Sequence, residues 1–317
     1  MCTSSRVRTD LPIFGDGRPE RAVPSQPSPV SWSLPSRLRP RPRLCSALDP
    51  EAQPQLQELS ERLQAFYNDS AVAAGYFEAA ERANPTWTPK MTGHWRLKQT
   101  IPTGSRVVDL GCGTAHPCLN LEDRDVRYTG VDWSKPQIDR NRERMPNHEF
   151  VAGSLYRTSL SAASFDAAIS LYTIEHLCWP HLLLEEMLRL VRPGGLIAVL
   201  TPPFRQRAAI KSFDYGLSPR PFKDKIRTFR WLDAALHLYQ HRVAYPWFLR
   251  RNHPIDAPEH RFLVHLDPIC LQSRTWFPDA DAVYLTYARE ILDHLVRLGA
   301  DEVELRPFDC YVVARKR

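Results

Sequence analysis

Apolar and polar positions change their spacing several times along the chain, and each change predicts a different element. Between 51 and 101 apolar residues recur three and four apart, in "LQELSERLQAFYN" and again in "AVAAGYFEAAERA", which is the spacing of one helix face. Beyond 105, short apolar runs alternate with amphipathic stretches. "RVVDL" (106–110) predicts a strand, 117–124 a helix opened by Pro117, "VRYTGVD" (126–132) a strand, and "SKPQIDRNRERM" (134–145) a helix capped by Ser134. "EFVAG" and "FDAAISLY" (165–172) predict strands, "PHLLLEEMLRLV" (180–191) a helix, and "GLIAVLTP" (195–202) a strand. Strands alternating with helices imply right-handed βαβ units around a parallel sheet.

The rhythm stops at 202 and resumes near 281. Residues 202–280 are rich in aromatics and prolines and hold five of the eleven histidines, with no strand-helix alternation. "DAVYLTYAREILDHLVRLGA" (281–300) then predicts an amphipathic helix ending at Gly299, followed by two strands, "DEVELRPF" and "CYVVARK", close enough to pair antiparallel. Because the fold resumes, 202–280 reads as an insertion, and insertions at a sheet's carboxyl edge usually cover the site. Residues 1–50 are rich in Pro, Ser and Arg with no periodic apolar face, and read as a disordered leader. The domain expectation is therefore a leader at 1–50, a helical cover at 51–104, a core at 105–201, a lid at 202–280 and a core-completing segment at 281–317.

Composition narrows the class without naming a function. A 317-residue chain that is 43% hydrophobic and 25% charged buries a sizeable core, and no apolar run reaches the roughly 18 to 20 uncharged residues of a membrane helix. The chain reads as soluble and cytoplasmic; the Arg and Ser content of the leader leaves an organelle transit peptide as the alternative. Seven cysteines without CxxC spacing argue for a reducing compartment rather than a disulfide framework. The net charge of +6 is unevenly spread: residues 202–280 carry 13 basic against 7 acidic residues, and 1–50 carry 8 against 4.

The candidate chemistry starts at "VVDLGCGTAHPC" (107–118), a glycine-rich loop directly between a strand and a helix. Gly111 and Gly113 permit a tight turn and close backbone approach, with helix N–H groups facing the ligand. Ala115 stands where a third glycine is common, at a close-packing position that admits alanine. Asp132 ends the second strand 21 residues after Gly111, about the ~20 expected of an acid that binds ribose hydroxyls. Asp109 precedes the glycines, where a dinucleotide would bring its pyrophosphate and be repelled. No GK[ST] follows, which removes the Walker pattern. S-adenosylmethionine has no phosphate and carries a sulfonium and an ammonium, which suit an acidic lining. Cys112, His116 and Cys118 match no common zinc spacing, so no metal is expected.

These residues resemble the class I S-adenosylmethionine-dependent methyltransferases, in particular the small-molecule group called methyltransferase type 11. "VVDLGCGTA" is similar to that family's first motif, "YTGVDWS" to its second-strand acid, "SFDAAISLYTIEHL" to its fourth strand and turn, and "LRLVRPGGLIAVLTP" to the passage into its fifth strand. The resemblance covers 105–201 well and 281–317 by pattern only. It implies an α/β fold with a doubly wound, Rossmann-like seven-stranded sheet, mostly parallel, with an antiparallel C-terminal edge hairpin. It also implies that Asp109, Gly111 and Gly113, with Cys112 and Ala115 in the same loop, hold the methionine end of the donor. Asp132 would take the ribose and Trp133 one adenine face; Ser154, with Leu155 beside it, stands where the family has an acid for the adenine amino group. Leu171 and Tyr172 would lie beside the methyl.

Methyl transfer from a sulfonium needs a base only if the acceptor must lose a proton. His176, with Glu175 beside it, reads either as that base or as a histidine that packs the turn. The acceptor expected is a small molecule, attacked through oxygen, nitrogen or carbon. Two other readings stay open: a nucleic-acid methyltransferase that uses the basic, aromatic insertion, and a non-catalytic nucleoside- or partner-binding module on the same fold.

Overall fold

The computed structural model describes residues 42–69, 86–208, 210–254, 261–273 and 279–317, together with Gly75, Glu78, Ala79 and Glu81. In chain order they form β1 (Leu44–Ser46), α1 (Gln53–Asn68), α2 (Thr92–Thr100), β2 (Arg106–Leu110), α3 (His116–Asn120), β3 (Arg127–Asp132), α4 (Lys135–Arg144), β4 (Glu149–Ala152), β5 (Phe165–Leu171), α5 (Pro180–Leu190) and β6 (Val191–Leu200). Then follow α6 (Phe204–Arg207), α7 (Phe222–Arg227), α8 (Trp231–Tyr239), α9 (Tyr245–Asn252), β7 (Leu263–His265), α10 (Ile269–Ser273), α11 (Ala288–Arg297), β8 (Ala300–Arg306) and β9 (Tyr311–Lys316). The helix expected from "AVAAGYFEAAERA" and the leader up to residue 41 lie outside the described residues, apart from isolated positions in the former.

Seven strands make one sheet in the order β4-β3-β2-β5-β6-β9-β8. The pairs β3–β4, β2–β3, β2–β5 and β5–β6 are parallel, while β9 is antiparallel to both β6 and β8. The three central parallel strands, β2, β3 and β5, bury nearly every position on both faces, as a sheet covered by helices requires. The order reverses between β2 and β5, and the crevice at their carboxyl ends is the topological switch point where such sheets bind ligands.

Helices pack on the sheet through the apolar stripes that the sequence spaces out. Leu183, Leu184, Met187 and Leu190 of α5 are fully buried, as are Ile291, Leu292 and Leu295 of α11. Buried Glu186 among them is satisfied by the Thr158 amide (2.8 Å), the Thr158 hydroxyl (2.7 Å) and Arg189. Ser134 does precede α4, but its hydroxyl donates to the Tyr67 carbonyl (3.0 Å) rather than capping. Asn68 Oδ1 accepts from the Lys135 amide (3.1 Å) instead, so the end of α1 caps α4.

Three expectations are corrected. The part of the leader that is described is paired: Leu44–Ser46 runs antiparallel to Leu263–His265, which ties the chain before α1 to the insertion. The helix expected over 281–300 is confined to Ala288–Arg297. Residues 280–286 are non-helical and buried at every position: a turn over Asp279–Asp281 leads to a bridge at Tyr284, with the Val283 and Tyr284 amides donating to the Glu175 carbonyl (2.7 and 2.9 Å). Burial on all sides is the mark of an enclosed segment and not of an amphipathic helix. The strand expected at 195–202 begins earlier and spans Val191–Leu200. Among the described residues, no helix is long and apolar enough to cross a membrane.

Candidate functional site

A cleft of about 380 Å³ opens at the carboxyl ends of β2, β3 and β5. Its floor is the loop after β2. Gly111 (φ +83°) and Gly113 (φ +46°) adopt left-handed conformations that favour glycine, and a Cβ at Gly111 would collide with the Thr173 side chain. Thr173 Oγ1 donates to the Gly111 carbonyl (3.0 Å), and fully buried Asn141 donates to the Gly113 carbonyl (2.7 Å). The turn is thereby held from both sides.

Asp132 braces the same loop. Its Oδ2 accepts from the Gly113 amide (2.9 Å) and its Oδ1 from the Ser134 amide (2.8 Å). Burial raises its pKa, against the pull of those two amides. Asp109 is almost fully buried at the end of β2. Tyr128 Oη donates to its Oδ2 (2.6 Å), while Oδ1 is buried without a hydrogen-bond partner. Burial pushes this carboxyl up to about 7, with the Tyr128 bond pulling the other way and Asp132 adding to the rise. An unpaired oxygen on a buried acid is costly unless a donor arrives to use it.

Opposite the loop, the turn Ile174–His176 brings up Glu175 and His176. Glu175 is fully buried. Its Oε2 accepts from the Thr201 hydroxyl (2.7 Å) and its Oε1 is buried without a hydrogen-bond partner. Burial raises it to about 7, opposed by His176 and the Thr201 bond. His176 Nδ1 lies 3.4 Å from Asp281 Oδ2 and Nε2 lies 3.9 Å from Glu175 Oε1. Burial alone lowers the His176 pKa, but the carboxylates of Asp281 and Glu175 outweigh it and the net shift is upward. Tyr67 donates to the same Asp281 oxygen, which joins the N-terminal cover to the network.

Of the residues singled out in the sequence, Asp109, Gly111, Cys112, Gly113, Asp132, Trp133, Leu155, Leu171, Tyr172, Glu175 and His176 line this cleft. Two do not. Ser154 lies beyond the lining, and its hydroxyl accepts from the Tyr156 amide (3.2 Å) as part of a turn. Ala115 is fully buried behind the loop with φ +55°, so it does more than fill a close-packing position: it is an L-residue in the left-handed region at the start of α3. Tyr172 is likewise left-handed (φ +53°), held by its amide to the Leu200 carbonyl (2.8 Å), and half exposed in the cleft.

The sequence reading missed the far wall, which comes from distant segments. Tyr67, Trp87, Met91 and His94 descend from the N-terminal cover, and Asp279 and Asp281 from the stretch before α11. Trp87 and His94 pack ring to ring (5.3 Å), as do His94 and Tyr172 (5.5 Å). Burial, helped by His116, lowers His94 to about 4 and keeps it neutral. Of the insertion at 202–280, only Asp279 reaches the lining among the described residues. The described lining holds five carboxylates and no lysine or arginine. Among the described residues no group of His, Cys, Asp and Glu side chains is placed to hold a metal.

A family model described as a methyltransferase domain matches residues 108–199. The chain is 34% identical over 113 residues to a demethylmenaquinone methyltransferase of Beutenbergia cavernae, covering 35% of this chain and 47% of that one. It is 27% identical over 129 residues to the malonyl-[acyl-carrier protein] O-methyltransferase of Serratia marcescens, covering 41% and 49%. It is also 29% identical over 177 residues to the tRNA (carboxymethyluridine(34)-5-O)-methyltransferase alkbh8 of Xenopus tropicalis, covering 51% and 28%. The matches span half or less of the length of these relatives. On the match and the sheet order together, residues 108–199 form a methyltransferase domain of the class I, S-adenosylmethionine-dependent type.

Proposed function

We propose that the chain transfers a methyl group from S-adenosylmethionine to a small-molecule acceptor bound in the same cleft. The observation that carries this reading is the acidic lining: five carboxyl groups and no described lysine or arginine, at the switch point of the sheet. Such a surface repels the phosphates of a dinucleotide and suits a cationic nucleoside. The residues present fit that donor. The orphaned Asp109 Oδ1 would receive its ammonium, the open backbone at Gly113 its methionine end, and Asp132 its ribose hydroxyls. Trp133 and Leu155 offer apolar contact for the base. When bound, the sulfonium supplies an electrophilic methyl for in-line displacement.

The protein's part is to position and desolvate the acceptor. Trp87, Met91, His94 and Tyr172 form the aromatic and apolar wall for it, and Glu175 Oε1 is an unpaired oxygen able to take a proton from it. Glu175 fits the base role better than His176, which the carboxylates of Asp281 and Glu175 bias toward the imidazolium, a form with no lone pair left to accept a proton. Relatives that bear small-molecule acceptors in their names, demethylmenaquinone among them, support the substrate class. A cleft of this volume is in the range of small-molecule sites.

The test is a thermal-shift titration with S-adenosylmethionine, its demethylated product and NAD, on wild type and Asp132→Ala. Either sulfur ligand at a hundred times its dissociation constant stabilises by about 2.7 kcal/mol. The expected result is a shift with both, none with NAD, and loss in Asp132→Ala; a shift with NAD alone overturns the reading.

A further inference from the structure

The insertion carries a surface that the cleft does not use. Helices α8 and α9 run into each other through a wide turn at Gln240–Ala244, making one rod from Trp231 to Asn252 of about 33 Å. The wide turn has a local cause: Pro246 lacks an N–H and its ring crowds the carbonyl four residues back. One face of the rod is anchored. Ala234, Tyr245 and Leu249 are buried, with Tyr245 against Phe213 (ring centroids 4.3 Å).

The opposite face is apolar and open to solvent. Trp231 and Leu232, then Leu238 and Tyr239 seven positions on, then Val243 and Trp247 at steps of four, lie along it, and Leu232 keeps 75% of its surface exposed. Phe229, in the turn before the rod, is 77% exposed. A run of apolar side chains of this length is rare on a monomer surface without a partner.

Charge identifies the partner. Lys223, Arg227, Arg242, Arg250 and Arg251 are exposed around this face, and Arg251 lies over the Trp247 ring (5.3 Å). The two acids of the segment offset at most one of them: Asp233 is buried against Lys225 (3.0 Å), and Asp224 stands 4.0 Å from Arg227. We propose that the rod Trp231–Asn252 is a membrane-docking face that lies in the headgroup layer of an anionic lipid surface. Tryptophan and tyrosine, aliphatic side chains between them and arginines at the border are the composition of helices that lie in that layer. Leucine and valine contribute nothing to base stacking, and a convex rod offers no groove to follow a nucleic-acid backbone, so the same residues fit RNA less well. The inference does not depend on methyl transfer.

The experiment is co-sedimentation of the full chain with vesicles of phosphatidylcholine alone and of phosphatidylcholine mixed equally with phosphatidylglycerol. A single-stranded RNA oligomer and analytical ultracentrifugation serve as the other arms. Wild type is expected to partition onto the mixed vesicles at least about tenfold better than onto the neutral ones, each border arginine supplying about fivefold. Leu232→Glu with Trp247→Glu should lose about tenfold or more at an unchanged melting temperature, both side chains being exposed. Arg250→Gln with Arg251→Gln should weaken binding and flatten its salt dependence. Quenching of wild-type tryptophan emission by brominated lipid gives a reading that needs no variant. No partition of wild type, or undiminished partition of the Leu232→Glu and Trp247→Glu double variant, overturns the proposal. So does RNA retention or self-association, without vesicle binding, that the same double variant abolishes.

Discussion

Tyr128 and Asp109, a residue of the cleft lining, share a buried hydrogen bond of 2.6 Å that occupies one carboxylate oxygen and leaves the other buried and unpaired. Burial holds this acid near 7, so at neutral pH it is poised between a neutral form and a carboxylate that a cation would stabilise. Donor affinity is therefore expected to improve as pH rises toward about 7, approaching tenfold per unit, and to level off above it. Tyr128→Phe removes a bond to the charged form, worth about 1.5 to 3 kcal/mol, and moves the midpoint up by about one to two units. Calorimetric titration across pH reads both; an affinity independent of pH in both proteins removes Asp109 from the donor contact.

Stability of the free protein should respond to pH in the opposite sense. Asp109 and Glu175 both have folded values raised to about 7 from ordinary carboxylate values, so the native state binds more protons than the unfolded one between about 4 and 7. Stability then falls as pH climbs through that window, by up to about 1.4 kcal/mol per unit for each group. His176 has the same sign. Its folded value is raised, so its contribution is present below 6.5 and is lost as pH rises through the folded value. Urea unfolding from pH 5 to 8 is expected to show the decline, and Asp109→Asn to flatten part of it.

Gly111 tests the floor of the cleft. Its Cβ would meet Thr173, whose hydroxyl already binds the Gly111 carbonyl, and its φ of +83° strains any L-residue. Gly111→Ala should cost roughly 3 kcal/mol or more, from strain and overpacking together. Thr173→Ala in the same chain removes two of the three colliding atoms and should restore part of the loss, leaving the backbone strain. Denaturant midpoints of the single and double variants give the coupling; additive losses would show that Thr173 is not the obstacle.

How much of this was legible in the chain follows from how each residue reaches the site. Asp109, the two glycines and Asp132 come from one strand-loop-helix unit and the strand after it, so their spacing along the chain is their spacing in the fold. Strand alternation likewise carried the seven-stranded sheet and its antiparallel edge. Asp281 is more than a hundred residues from His176 and faces it only because the Val283 and Tyr284 amides anchor its segment on the Glu175 carbonyl. That segment's apolar residues match a helix stripe as well as a buried strand, and only tertiary burial chooses between them. Trp87 and His94 belong to no motif; nothing but packing brings them to Tyr172. Ser154 shows the converse, since a position matched by family spacing turned its hydroxyl into a local turn.

Glu175 and His176 can be separated by their pH profiles. If Glu175 Oε1 takes the acceptor's proton, turnover should rise with pH through an apparent value near 7 and Glu175→Gln should lose about a hundredfold or more, with donor affinity kept. His176 then acts as a positioning residue: its imidazolium, held by Asp281, favours the ionised form of Glu175. Under that role His176→Gln keeps a rising limb but shifts it to higher pH, because the opposing charge that lowered Glu175 is gone. A histidine base would behave differently. The rising limb would vanish in His176→Gln and survive in Glu175→Gln, and that outcome would transfer the proton-accepting role to the imidazole. Tyr67→Phe adds an independent reading. Loss of its bond to Asp281 frees that carboxylate to hold His176 more tightly as a cation, which should move the limb of the otherwise intact protein toward lower pH.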